Sequence, residues 1–141
     1  MILYGYSWGA HLLMSFLRYF QKDNIAINLL ITIDAAKGPV SFSIHNQVTQ
    51  NVKYNLNIYQ KTPSLIGSHG WPNDGKQVKN VNLTNVRTKN GEEVRHSNID
   101  EYTLFYCAQV IAYALKNNYG FANKSESQIK KDISLYAAQG F

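Results

Sequence analysis

The chain has a single cysteine, Cys107, in 141 residues. No disulfide can form within it, and it is neither a disulfide-stapled module nor a zinc ribbon. It has no run of roughly eighteen apolar residues, which excludes a membrane-spanning helix. Its first residues carry neither a basic stretch nor a cleavage site and do not read as a signal peptide. Glycine-rich phosphate loops, paired-carboxylate sites, closely spaced metal ligands, internal repeats and low-complexity tracts are also missing, so neither a cofactor nor a metal is expected. Fourteen basic residues against nine acidic ones give a net charge of +5. They are scattered from Arg18 to Lys131, and the densest pair, Lys130-Lys131, stands beside Glu126 and Asp132. That is a solvated surface; nucleic-acid binders gather their charge on one face, and no nucleic-acid partner is expected.

What is present is a core. The hydrophobic fraction is 45%, with ten Tyr and six Phe, and the length suits one domain over residues 1–141. Met1-Ile2-Leu3-Tyr4 reads as a buried strand with no preceding residues, the pattern of a chain that starts in mid-sheet. Leu13, Phe16, Leu17 and Phe20 recur at helical spacing and form the apolar face of a helix that ends at Gln21-Lys22-Asp23-Asn24. The run 27–33 is nearly all apolar and β-branched, as in a parallel strand covered on both faces. Residues 40–51 give an irregular excursion, and Val52, Tyr54, Leu56 and Ile58 alternate with polar residues as in a strand. Thr62 to Gly75 is a long loop by its glycines and prolines. Val81, Leu83 and Val86 predict a last strand, and Asn98 to Asn118 a helix with Leu104, Cys107, Ala108, Ile111 and Leu115 on its apolar face and Ser97 as N-cap. A short polar helix follows around 125–138. Strands alternating with helices predict an α/β fold with a mostly parallel sheet.

Gly5-Tyr6-Ser7-Trp8-Gly9 lies where the first strand meets the first helix. A G-x-S-x-G segment in that context is a nucleophile elbow: a sharp turn lifts the serine to the carboxyl edge of the sheet, and glycines at both flanks let strand and helix approach. The next backbone N–H, that of Trp8, falls where an oxyanion would form. A serine hydroxyl needs a base and an orienting acid. Asp34 ends the strand after the elbow, at the edge where reacting groups gather in such sheets. Asp74, in Asn73-Asp74-Gly75, is the alternative acid, although turn formation alone accounts for it. His96 lies between the last strand and the last long helix, again at the carboxyl edge. His11 reads as a packing or surface residue, and His45 and His69 sit in loops without a matching acid.

Three segments carry a family resemblance: Gly5-Tyr6-Ser7-Trp8-Gly9-Ala10, Leu30-Ile31-Thr32-Ile33-Asp34, and Arg95-His96-Ser97-Asn98-Ile99-Asp100. Together they resemble the C-terminal half of a lipase- or esterase-like α/β-hydrolase, over residues 1 to about 118. The resemblance implies a partial α/β-hydrolase fold without its N-terminal strands. It implies Ser7 as nucleophile, His96 as general base and Asp34 as orienting acid, acting on a small-molecule or lipid ester. It also leaves a second expectation: a non-catalytic remnant, or a chain whose sheet is completed by a partner chain.

Overall fold

The computed structural model describes residues 1–36, 45–62 and 69–139. Its elements are β1 (Ile2–Tyr6), α1 (Ser7–Lys22), β2 (Leu29–Ile33), β3 (Asn55–Tyr59), β4 (Val78–Asn82), α2 (Ile99–Ala114) and α3 (Glu126–Gln139), with a 3-10 turn at Gly120–Asn123. The four strands form one parallel sheet in the order β1-β2-β3-β4. With helices on its faces the chain has an α/β fold. All five residues of β2 are buried, because the strand has a neighbour on each side and a layer on each face. Parts of the predicted loops, 37–44 and 63–68, lie outside the described residues. No helix among the described residues is long and apolar enough to cross a membrane.

The strand alternation sorts side chains between two cores. Leu29, Ile31, Ile33, Leu56, Ile58 and Val81 point to one face, where Tyr102, Tyr106 and Val110 of α2 and Ile129 and Ile133 of α3 close over them. Leu30 points to the other face, against Met14 and Leu17 of α1. On that second face Thr32, Asn55 and Asn57 are fully buried and joined by hydrogen bonds. The polar half of the β3 alternation therefore faces protein, not solvent.

Several sequence expectations are corrected. The buried side of α1 is Ala10, His11, Met14 and Leu17, with Phe16 largely exposed; the small Ala10 must face Gly5 at close range, and this sets the helix rotation. The buried side of α2 is Ile99, Tyr102, Thr103, Tyr106, Cys107, Val110 and Ala114, while Leu104 and Leu115 are exposed. Tyrosines fill the stripe expected of leucines, because an aromatic body can bury while its hydroxyl stays polar. The N-cap position of α2 is Asn98, one residue after Ser97; its side chain accepts from Arg95 N at 2.8 Å and so holds the preceding turn. The C-terminal helix is part of the core: Ile129 and Ile133 are fully buried. Strand β4 also begins earlier than its apolar residues suggest, and Val86 leads into a small antiparallel bridge, Arg87 to Glu93, around the Asn90-Gly91 turn.

Cys107 is buried, and that burial pushes its thiol up to about 12. It stays a protonated, packed side chain. β1 is not the buried strand expected: it has β2 as its one paired strand among the described residues, Met1 and Tyr4 are exposed, and only Gly5 of the strand is buried. Along the helix beside it, Trp8, Leu12, Phe16 and Tyr19 are 53%, 42%, 48% and 65% exposed.

Candidate active site

β1 passes into α1 without a connecting residue, Tyr6 ending the strand and Ser7 opening the helix. The turn is made at Ser7, whose φ of 54° is left-handed. A non-glycine residue there costs roughly 1–2 kcal/mol. Gly5 makes this possible: a Cβ on it would stand 2.8 Å from both Ala10 N and a Leu13 methyl carbon. The expectation for Gly9 is corrected, since a Cβ there would meet nothing within 4 Å. The tight approach is on the strand side of the serine only. No side chain caps the start of α1, and its first turn carries no acidic residue. The N–H groups of that turn, Trp8 among them, have no intrahelical acceptor, and the positive end of the helix dipole lies at Ser7.

Residues far apart in sequence meet there. Ser7 Oγ lies 2.8 Å from His96 Nε2, and His96 Nδ1 lies 2.8 Å from Asp34 Oδ2. Asp34 is fully buried, and Ser7 and His96 are partly exposed. An ionised carboxylate only accepts, so Nδ1 carries the proton and the Nε2 lone pair is free to accept from the serine hydroxyl. Asp34 N donates to Ile58 O of β3 at 2.7 Å, which ties the residue to the sheet edge, and its φ is 44°. Two non-glycine residues in left-handed conformation thus hold the two ends of the relay.

Three residues that sequence reasoning left out of the site hold it in place. Tyr6 stacks on His96, ring centroids 5.3 Å apart, and its hydroxyl donates to the His96 carbonyl. Burial first, then the charges of Asp100 and Asp34, push this phenol up to about 12, so it remains a donor. Gly70 N donates to Asp34 Oδ1 at 2.6 Å, and a Cβ on Gly70 would stand 2.5 Å from that oxygen. Gln60 donates from its backbone N to Asp34 Oδ1 at 3.0 Å and from its side chain to Oδ2 at 2.9 Å. A signal for Gln60 exists in the sequence: it follows β3 directly, as Asp34 follows the neighbouring β2, and the ends of adjacent parallel strands meet.

Asp74 lies elsewhere. It is exposed, its carboxylate accepts from Gln47 at 2.6 Å, and its backbone pairs with the 46–48 segment. His11 is buried in α1, and its ring meets Trp8 edge-on at 5.8 Å. His69 packs against Trp71 at 5.0 Å. Comparison of the chain with protein-family models, curated proteins and solved structures finds no match.

Proposed function

We propose that the chain is a serine hydrolase of the lipase and esterase type, on part of an α/β-hydrolase fold. It would cleave a carboxylic ester or thioester through an acyl-serine intermediate. The observation that carries this reading is the unbroken relay Ser7–His96–Asp34, each link 2.8 Å long, with the serine on a left-handed strand-to-helix turn. A strained serine aligned with an imidazole and a buried carboxylate matches what acyl transfer requires.

In the proposed reaction His96 Nε2 takes the proton as Ser7 Oγ attacks the ester carbonyl carbon. Asp34 holds the Nδ1–H tautomer and stabilises the imidazolium. The carbonyl oxygen, now an oxyanion, accepts from Trp8 N–H at the uncapped start of α1. The C–O or C–S bond to the leaving group breaks as Nε2–H protonates it. Water, deprotonated by His96, then attacks the acyl-serine, releases the acid and returns the proton to Ser7.

A second reading, a chain that is inactive without a partner chain, draws on the single pairing of β1 and the exposed aromatics beside it. Intact mass after treatment with a fluorophosphonate separates the two. We expect one adduct on the native chain and none on Ser7→Ala. Folded native protein that takes no adduct would overturn the hydrolase reading for this chain and favour the second.

A further inference from the structure

Among the described residues Asp34 accepts four hydrogen bonds: Gly70 N and Gln60 N on Oδ1, and Gln60 Nε2 and His96 Nδ1 on Oδ2. One residue supplies two of the four, one on each oxygen. Gln60 is itself fully buried. Its own carbonyl oxygen is fixed as well, because Thr62 N donates to Oε1 at 2.6 Å. That bond settles which end of the amide faces the carboxylate: oxygen toward Thr62, nitrogen toward Asp34. A buried glutamine with both amide ends engaged has a single orientation, and two donors from one residue fix the plane of the carboxylate they grip.

We infer that Gln60 is a positioning residue for the acid–base relay: its side-chain amide fixes the Asp34 carboxylate so that Oδ2 presents a lone pair to His96 Nδ1. This rests on the hydrolase reading for its effect on turnover, but not for its effect on the His96–Asp34 bond. Gln60 touches neither Ser7 nor the site of the reacting carbonyl, and acts through Asp34. Without the Gln60 amide, Oδ2 would keep His96 and lose its second donor, and the plane of the carboxylate would be held less tightly by the two backbone N–H groups on Oδ1.

Two variants test this. Gln60→Met keeps length and apolar volume while removing both amide bonds. Gln60→Glu keeps the acceptor for Thr62 N and sets a carboxyl in place of the amide donor: protonated, it still donates to Asp34, and ionised, it repels it, so its effect grows as pH rises. Turnover of p-nitrophenyl acetate is expected to fall about tenfold for Gln60→Met, the scale of one lost hydrogen bond to a charged group. The fall should be larger for Gln60→Glu at a pH where both carboxyls are ionised, with KM in both variants within about twofold of the native chain, since only the reacting geometry is disturbed. The independent readout is the proton resonance of His96 Nδ1–H, which a short bond to a carboxylate moves downfield of the backbone amides. We expect it in the native chain and in Ser7→Ala, and broadened or lost in both Gln60 variants. An unchanged resonance with native turnover in Gln60→Met overturns the inference, as does a rise in KM alone. A native chain that takes no fluorophosphonate but loses this resonance on Gln60→Glu would refute the hydrolase reading while leaving the positioning role standing.

Discussion

The two faces of the sheet are built from different chemistry. On the α2–α3 face the inward residues are Leu, Ile and Val, closed over by tyrosines and isoleucines. On the α1 face the buried layer around Thr32, Asn55, Asn57, Asn73 and Asn80 is a hydrogen-bonded network. Asn73 Nδ2 donates to Thr32 at 3.1 Å and to Asn55 at 3.0 Å, and Asn57 Nδ2 donates to Asn80 at 2.8 Å and to the Trp71 carbonyl at 2.9 Å. Apolar packing is forgiving of direction, whereas a satisfied amide network fixes it. The second face uses that property: it holds the 70–74 segment, and Gly70 at its start is what reaches Asp34. Both faces bury apolar side chains, and the α1 face adds a polar network that sets the path of the segment reaching Asp34.

The sharpest break in the comparison is at Asp34, where the polar face ends. Asp34→Asn should lower turnover by about 10⁴, the scale for a relay whose imidazole loses its correct tautomer. An amide also turns one of its N–H donors toward donors already there, so a stability loss of about 1–3 kcal/mol should accompany it in urea unfolding. The faces themselves are compared by Ile133→Ala and Asn73→Ala. The first should cost about 2–5 kcal/mol by opening a cavity, while folded molecules keep their native rate of fluorophosphonate labelling. The second should cost about 1–3 kcal/mol, by leaving buried groups of Thr32 and Asn55 short of a donor, and should also slow labelling of the folded fraction. Equal labelling in both variants would dissolve the contrast.

Ser7→Gly sharpens it further. Relief of the left-handed strain should raise stability by about 1 kcal/mol while removing the adduct altogether. The smallest effect is on pH dependence. Tyr4 and Tyr6 are held at about 12, chiefly by burial, against an ordinary value of 10. Between those values the folded chain keeps protons that the unfolded chain releases. The stability they lend is thus complete below pH 10 and declines as pH rises toward 12. Urea midpoints measured across that range should fall less steeply in Tyr6→Phe.

How much of this the sequence disclosed follows from the range of the forces involved. The order of elements, the β2 strand and the strand-to-helix turn at Ser7 are local and legible, because periodicity and glycine placement encode them within a few residues. The positions of Asp34 and His96 at the carboxyl edge were legible too, since a parallel sheet gathers its strand ends there. The buried side of α2 was not, because Tyr102 and Tyr106 sit among residues whose polarity conceals their burial. Nor was the grip of Gln60 and Gly70 on Asp34, since loop residues pair through geometry that no local pattern records. Gly9 misled in the opposite direction: a glycine in a recognisable motif invites a steric reason, and here open space surrounds it.

The strand order has a kinetic consequence. Ile2 pairs with Leu29, Leu30 with Asn55, and Asn55 with Val78, so each new strand closes a loop of similar, moderate length. Ser7 and His96 stand 89 positions apart. By loop-closure entropy their encounter costs roughly 1 kcal/mol more than any single strand pairing. The sheet can grow one neighbour at a time, but Ser7 meets His96 only once the chain has passed β4 and approaches α2. The Ser7–His96 contact joins the first strand to the segment beyond the last one, and a chain assembled only as far as β3 lacks it.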